Sequence, residues 1–427
     1  MADNLLERSL NRFHTAKFFM RILWVKTGPL LPLDTGGKRR THALLTEMSK
    51  AHHVVYLSLL PEGEQLHALE EGDAYATEKQ WVRTRTPAKG TLRFWLDLAK
   101  STLCTTRPYA LQRYEARALH QKLRELSQKQ SFDLVICDFL APALNFIGLR
   151  FQCPVILFQH NIEAQIWERL AANQSSLTKK WYLGIQHRRM KRWEARLSSL
   201  FDGVITVSPE DAEISRTEYR LTNVLGHVPT GVDVLSFQPA PPRPPGQPFV
   251  MGFLGSMDWM PNIDATLDFV HEILPSVRAK LPDCRFKIIG RKPPAKIREL
   301  AVADAGIEVT GTVEEVQSHV HQCDVIVVPL KAGGGTRIKI YEAMAMGVPV
   351  VSTTIGAEGL AVTPGENILI ADGAAAFATS LLSLAQDCAF SARLAEKARK
   401  EVETNLSWTK AASCFMELTT RCKSTSA

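Results

Sequence analysis

The sequence predicts an α/β protein of two Rossmann-like domains, each a parallel sheet covered on both faces, with a ligand cleft between them. Three observations lead there. Short apolar runs alternate with helical patterns of ten or more residues, which is how a parallel sheet is written in sequence. The alternation stops in a proline-dense stretch near the middle of the chain and then begins again. The length of 427 residues exceeds one ordinary core and suits two domains of roughly 200 residues each.

RILWVKT (21–27) reads as the first strand, followed by a loop carrying Pro29, Pro32, Gly36 and Gly37, the helical pattern THALLTEMSKA and a second strand, VVYLSLL. Residues 1–19 precede this βαβ beginning as an extension. In it Leu5, Leu6, Leu10 and Phe13 share one helical face with Arg8 and Arg12 between them, a pattern suited to docking or to a membrane surface. Residues 64–130 are polar and helix-compatible and contain no motif. FDLVICD (132–138) and PVILFQH (154–160) read as buried parallel strands. A helical stretch over 163–200 includes the densest basic run, HRRMKRWEAR (187–196), in which Glu194 and Trp193 fit a helix with one solvated face. DGVITVSPED then gives a strand, a turn and a helix start at Ser208-Pro209.

The N-terminal domain is expected over 20–228, a proline-rich linker over 229–248 and the C-terminal domain over 249–427, with a last helix that crosses back to the N-terminal domain. Strands are expected in FVMGFLGS, CRFKIIG, IEVTG, CDVIVVPL and VPVVST, with helices over 262–280, 294–304, 313–322 and 336–346 between them. Ligands of such sheets bind at the carboxyl ends of the strands.

Apolar residues at 45% and charged residues at 22% are globular, and no apolar run reaches the ~18–20 residues that span a bilayer. The opening stretch lacks the apolar core and cleavage site of a secretory signal, so a cytoplasmic location is expected, with peripheral contact at the inner membrane surface through basic or amphipathic surface. The eight cysteines are scattered without zinc-ligand spacing and read as free thiols. A net charge of +7 favours anionic ligands without choosing among nucleotides, lipid phosphates and an acidic membrane. No nucleic-acid partner is expected.

The most informative stretch is PLKAGGGTRIKIYEAMAMGVPVVST (329–353), a strand end, three glycines, a helix and another strand. Gly333, Gly334 and Gly335 permit close backbone approach, and the helix after them presents free N–H groups at its positive end. Arg337 and Lys339 fall in its first turn, where the macrodipole disfavours a cation by ~0.3–1 kcal/mol unless an anion is bound. Glu342, three residues beyond Lys339, stands on the same flank, placed to accept from ribose hydroxyls. Gly347 and Pro349 end the helix.

This segment, with GAEGL and PGENILIADG after it, resembles the donor-binding signature of family 4 (group 1) glycosyltransferases, retaining enzymes of the GT-B fold. MRILWVKTGPLLPLDTGGKRR, FQHNIEAQIW, DGVITVSPED, PTGVD, GFLGSMDWMPN and FKIIGRKP extend the resemblance in order over nearly the whole chain. It implies that Glu342 binds the donor ribose, that Gly333, Gly334, Gly335 and Thr336 hold the diphosphate, and that Gly36 and Gly37 border the transferred sugar. Lys38, Arg39 and Arg40 follow those glycines. It also implies a cleft histidine, His160, with Asn161 and Glu163 as neighbours able to touch sugar or acceptor.

Two departures stand out. Where the family carries a sugar-contacting glutamate this chain has Gly334, and the usual cations after the first strand of the second domain are missing from GFLGSMDWMPN, where Ser256 and Asn262 lie instead. Arg337 and Lys339 are placed to supply that charge; Arg291 reads as surface. The implied reaction is metal-independent transfer of a sugar, with retention, from a nucleoside-diphosphate sugar to a saccharide or lipid-linked hydroxyl in polysaccharide or glycolipid synthesis. The nucleotide sugar is a substrate and no cofactor is expected. Two other readings stay open: a sugar-nucleotide epimerase, and a non-catalytic partner that keeps the fold. An NAD-dependent dehydrogenase fits worse, because no G-x-G-x-x-G follows an early strand.

Overall fold

In the computed structural model, residues 20–422 are described except 34, 64, 67–69, 71, 85–90, 130–131, 173, 175, 240–245 and 333–336. The extension 1–19 and four residues of the expected donor site, Gly333, Gly334, Gly335 and Thr336, lie outside the described residues.

The chain forms two parallel sheets. The first contains β1 (Arg21–Lys26), β2 (His53–Pro61), β3 (Glu78–Thr84), β4 (Leu134–Asp138), β5 (Val155–Phe158), β6 (Gly203–Thr206) and β7 (Val224–His227), in the order β3-β2-β1-β4-β5-β6-β7. The second contains β8 (Val250–Leu254), β9 (Arg285–Ile289), β10 (Ile307–Gly311), β11 (Val325–Val328), β12 (Val350–Ser352) and β13 (Leu369–Ile370), in the order β10-β9-β8-β11-β12-β13. The strand order reverses beside β1 in one sheet and beside β8 in the other, so each sheet has a switch point where a crevice opens at the strand carboxyl ends.

Burial on both faces explains the continuous apolar strands. Within β1, Leu23 and Val25 join one core layer while Ile22 and Trp24 join the other. The last helix, Trp408–Thr420, packs its Phe415 into this second layer, 5.5 Å from Trp24 and 5.0 Å from Phe158 between ring centroids. Aromatic contacts of that kind add ~0.5–1.5 kcal/mol each beyond area burial. The segment after β7 is tied to the second domain: Val232 N–H donates to Leu406 O at 2.8 Å, and the Arg399 guanidinium bonds the carbonyls of Val234, Phe237 and Ala345.

Several elements differ from the sequence expectation. Gly36 and Gly37 are the first two residues of the helix Gly36–Ser49 and do not belong to a loop. Thr35 caps it by accepting from Lys38 N–H, so the start is set by the cap and the glycines serve another purpose, described below. The stretch 163–200 divides into Glu163–Ala172 and Leu177–Ser198, and the helix expected over 313–322 is the short turn Gln317–Val320. No helix among the described residues is long and apolar enough to cross a membrane.

Candidate active site

The N-terminal wall is assembled at the carboxyl ends of β1, β4 and β5. Lys26 closes β1, Asp138 closes β4 and His160 follows β5 by two residues, and each side chain is almost wholly buried. Asp138 Oδ2 accepts from Lys26 Nζ (2.8 Å), Thr41 Oγ1 (2.7 Å) and Trp24 Nε1 (2.9 Å). Asp138 Oδ1 lies 2.7 Å from His160 Nε2, an approach off the line of an ideal hydrogen bond. The other ring nitrogen, Nδ1, faces the Arg40 guanidinium at 3.4 Å; since Arg40 can only donate, Nδ1 is the bare nitrogen and Nε2 carries the proton. Burial holds the imidazole neutral, with its pKa pushed down to about 3 despite the carboxylate beside it. His160 was expected in the cleft, and it stands instead in the floor of this wall, covered by Phe139, whose ring stacks on it at 3.7 Å.

Phe139 adopts φ +71°, a left-handed conformation that few side chains take, and its ring sits under Lys26 Nζ at 4.1 Å. The role of Gly37 follows from that ring. A Cβ at Gly37 would stand 2.6 Å from Phe139 Cζ, so the glycine is required for space. Gly37→Ala is expected to displace Phe139 from His160 and to lower stability by about 1–3 kcal/mol, read from urea unfolding; an unchanged midpoint would mean that the ring moves freely.

The C-terminal wall is the helix Ile338–Ala345, which follows β11 and is capped by Arg337. Arg337 is 5% exposed and Glu342 4% exposed. Burial lowers the Arg337 pKa to about 10. Lys339 Nζ lies over the Phe253 ring at 4.4 Å and donates to Asn262 Oδ1 at 3.3 Å, while Asn262 Nδ2 is held by Ser256 O at 2.8 Å. Burial, and then the neighbouring Arg337, push the Lys339 pKa down to about 7. The helix ends as the sequence pattern requires, with Gly347 at φ +68° just past its cap.

The two walls meet through the starts of their helices. A Cβ at Gly36 would touch Ile338 Cδ1 at 3.4 Å, and Arg39 Nη1 reaches across to Glu342 Oε1 at 2.5 Å. A second cross-domain pair, Arg169 with Glu358, is bidentate at 2.8 and 3.0 Å. Beside it lies a pocket lined by Asn161, Gln165, Ser208, Glu210, Asp211 and Glu358. Burial raises the Asp211 pKa to about 6 there. Neither the Gly36 helix nor the Ile338 helix has an acid in its first turn. Lys38, Arg39, Arg337 and Lys339 occupy the positive ends of two facing helices, against the macrodipole, and that arrangement is favourable when an anion lies between them.

The structure thus gathers Gly36, Gly37, His160, Arg337, Lys339 and Glu342 at one interdomain site. Sequence reasoning missed Lys26, Asp138 and Phe139. The available signal was Asp138, an acid closing an otherwise apolar strand. It also placed Glu194 on a solvated face; the side chain is fully buried, because it accepts from Gln159 Nε2, the Tyr219 hydroxyl and the main-chain N–H groups of Glu163 and Ala164. It thereby satisfies the start of the helix that carries Arg169. Arg291 donates to Ser256 Oγ at 2.8 Å and lies 3.7 Å from Asp258, on the far side of Ser256 from Lys339 in the chain of contacts.

Two facing Rossmann-like domains with this cleft define the GT-B architecture. The model of Glycosyltransferase Family 4 matches residues 35–234 and that of Glycosyl transferases group 1 matches residues 248–387, and the chain belongs to this family. Among solved structures it is similar to a sucrose-phosphate synthase from Thermosynechococcus elongatus, with TM-score 0.70 and 16% identity, covering 94% of this chain and 98% of that one. A glycosyltransferase from Rickettsia africae gives TM-score 0.66 and 15% identity over 95% of this chain and 99% of that one. In sequence the chain is 25% identical over 340 residues to a phosphatidyl-myo-inositol mannosyltransferase of Mycolicibacterium smegmatis, covering 77% and 82% of the two chains. It is also 29% identical over 202 residues to a GDP-mannose-dependent monoacylated alpha-(1-6)-phosphatidylinositol monomannoside mannosyltransferase of Corynebacterium glutamicum, covering 43% and 52%.

Proposed function

We propose that this glycosyltransferase moves a sugar from a nucleoside-diphosphate donor to an acceptor hydroxyl with retention at the anomeric carbon, holding the diphosphate between the facing helix starts at Gly36 and Ile338. The observation that carries this reading is the meeting of two cation-bearing helix starts across the cleft, joined by Arg39 and Glu342. Glu342 takes the ribose hydroxyls. Gly333, Gly334, Gly335 and Thr336 lead into the Ile338 helix and supply main-chain donors, and Gly36 and Gly37 border the sugar. His160, neutral beneath Phe139, fixes the N-terminal wall of the site.

As the bond from the anomeric carbon to the diphosphate oxygen breaks, negative charge grows on the leaving phosphate. Arg337, Lys339 and the helix N–H groups stabilise that charge more in the transition state than in the ground state. The acceptor oxygen bonds to the same face of the carbon and its proton passes to the departing phosphate. With these cations against the diphosphate, neither a metal nor a cofactor is needed. The two mannosyltransferase relatives support an acceptor that is a saccharide or is linked to lipid, in glycolipid or polysaccharide synthesis, and peripheral contact with the inner membrane surface accompanies such an acceptor.

Calorimetry with UDP, GDP, ADP and their sugars tests the reading. One base should bind at micromolar affinity, and Glu342→Ala should weaken it roughly tenfold or more, the loss of a charge-assisted hydrogen bond. Absence of binding by every nucleotide would overturn the donor site and favour a non-catalytic role.

A further inference from the structure

We infer that Arg39 is a diphosphate-binding residue supplied across the cleft by the N-terminal domain, and that its pairing with Glu342 marks the ligand-free arrangement of the site. The inference rests on the donor site proposed above and assigns to Arg39 a role that the resemblance gives to none of Lys38, Arg39 and Arg40.

After β8 the stretch 255–261 contains no Lys or Arg, and Arg291, which reaches into it, is engaged with Ser256 and Asp258. Among the described residues, Arg337 and Lys339 are the cations at the start of the Ile338 helix, where they face a group that carries two negative charges and gains more as it leaves. Arg337 is buried and Lys339 half-buried, and desolvation lowers the Lys339 pKa to about 7 in the absence of an anion.

Of the cations at the carboxyl edge of the first sheet, Lys26 is fixed by Asp138, and Arg40 is buried against His160 and Thr230. Lys38 turns back to Pro32 O at 3.3 Å. Arg39 differs from all three. Its Nε is anchored on Leu33 O at 3.0 Å, its side chain is 42% exposed, and its guanidinium crosses to the other domain. Its partner there is the carboxylate that the ribose would take. Once ribose hydroxyls occupy Glu342, the guanidinium loses its acceptor while still standing beside the two helix starts that flank the diphosphate. A planar fork with five donors is suited to bridge phosphate oxygens in that position. The same guanidinium competes with ribose before the phosphates arrive, so it opposes binding of a nucleoside and favours binding of a nucleoside diphosphate.

The test compares nucleosides with nucleoside diphosphates on the full chain. Uridine, guanosine and adenosine, followed by ligand-observed NMR, and UDP, GDP and ADP, followed by calorimetry, would be titrated into the parent protein, Arg39→Ala and Arg39→Lys. Arg39→Ala is expected to bind the matching nucleoside as tightly as the parent or more tightly, and to bind its diphosphate roughly 10- to 100-fold more weakly; Arg39→Lys should fall between. Diphosphate affinity that stays level, or that follows the nucleoside in either direction, would overturn the inference and leave Arg39 as a partner of Glu342 alone. If the parent binds nucleoside and diphosphate equally well, the phosphate cage itself is wrong. If it binds neither, the donor site fails and this assignment with it. Matching melting curves for the three proteins would show that a partly exposed side chain was changed without unfolding.

Discussion

Asp138→Asn is expected to destabilise the N-terminal domain by about 3–5 kcal/mol, the cost of leaving a buried charge without its partner. The abandoned charge is Lys26. Its ammonium is buried at the end of β1, where Asp138 Oδ2 and Thr41 Oγ1 are within 2.9 Å, and burial already lowers its pKa in spite of the carboxylate. An amide of the same shape keeps the volume but removes the counter-charge, so the lysine must deprotonate or draw in water. The carboxyl itself behaves in the complementary way. Burial raises its pKa, but Lys26 and then His160 outweigh that penalty and hold it well below the usual carboxylate range. With the folded pKa depressed, the contribution is present above the unfolded value of ~3.9 and is lost as pH falls through the folded one. Urea unfolding at neutral pH reads the effect directly, and a loss under about 1 kcal/mol would show that the network is water-filled and weak. A Lys26→Met, Asp138→Leu double variant should recover part of the loss, because removing both charges removes the unpaired one.

That network also shows where the sequence stops being readable. β4 and β5 are continuous apolar runs, so a doubly covered parallel sheet could be read from them, and the Ile338 helix was bounded by a cation-rich start and a left-handed glycine. β3, EKQWVRT, escaped because it is a sheet edge with mostly half-buried residues and charged ends, which looks like the polar helices around it. Gly36-Gly37 suggested a loop because consecutive glycines usually serve backbone freedom; here one of them makes room for a ring 102 positions later, and no local pattern carries that information. Glu194 failed for the same reason, since its donors sit about 30 residues away on another helix. Gly36, Gly37, Arg337, Lys339 and Glu342 were individually visible in the sequence, while Lys26 and Asp138 were missed. Long-range pairing was not visible: Lys26 meets Asp138 across 112 residues within the first sheet, and Arg39 meets Glu342 across 303, a contact that exists only once both sheets have formed.

Lys339→Met is expected to lower the transfer rate by roughly 100- to 1,000-fold, the range seen when one preorganised donor to a developing charge is removed. The ligand-free protein holds this ammonium in a site that disfavours it, with burial and then Arg337 pushing its pKa from the ordinary 10.5 to about 7. In an unfolded chain the same group would keep its proton. Between those two values the unfolded state binds a proton that the native state lacks, so stability of the free protein should rise as pH increases from about 7 toward 10, and the penalty is fully present below 7. Donor binding reverses the trend. A nucleoside-diphosphate sugar carries no titrating phosphate proton in this range, and its charge selects the ammonium form, so binding above pH 7 must take up a proton. Affinity should therefore fall with rising pH, approaching about tenfold per unit once the free lysine is mostly neutral. Opposite slopes for stability and affinity are hard to obtain from a solvated lysine, which would be charged in both states. Calorimetry in buffers of different ionisation enthalpy measures the proton directly, and Lys339→Met should abolish its uptake together with the fall in affinity. Affinity that is flat between pH 7 and 9 in the parent protein would mean that Lys339 faces away from the phosphates, and the leaving-group charge would then rest on Arg337 and the main-chain donors of the Ile338 helix.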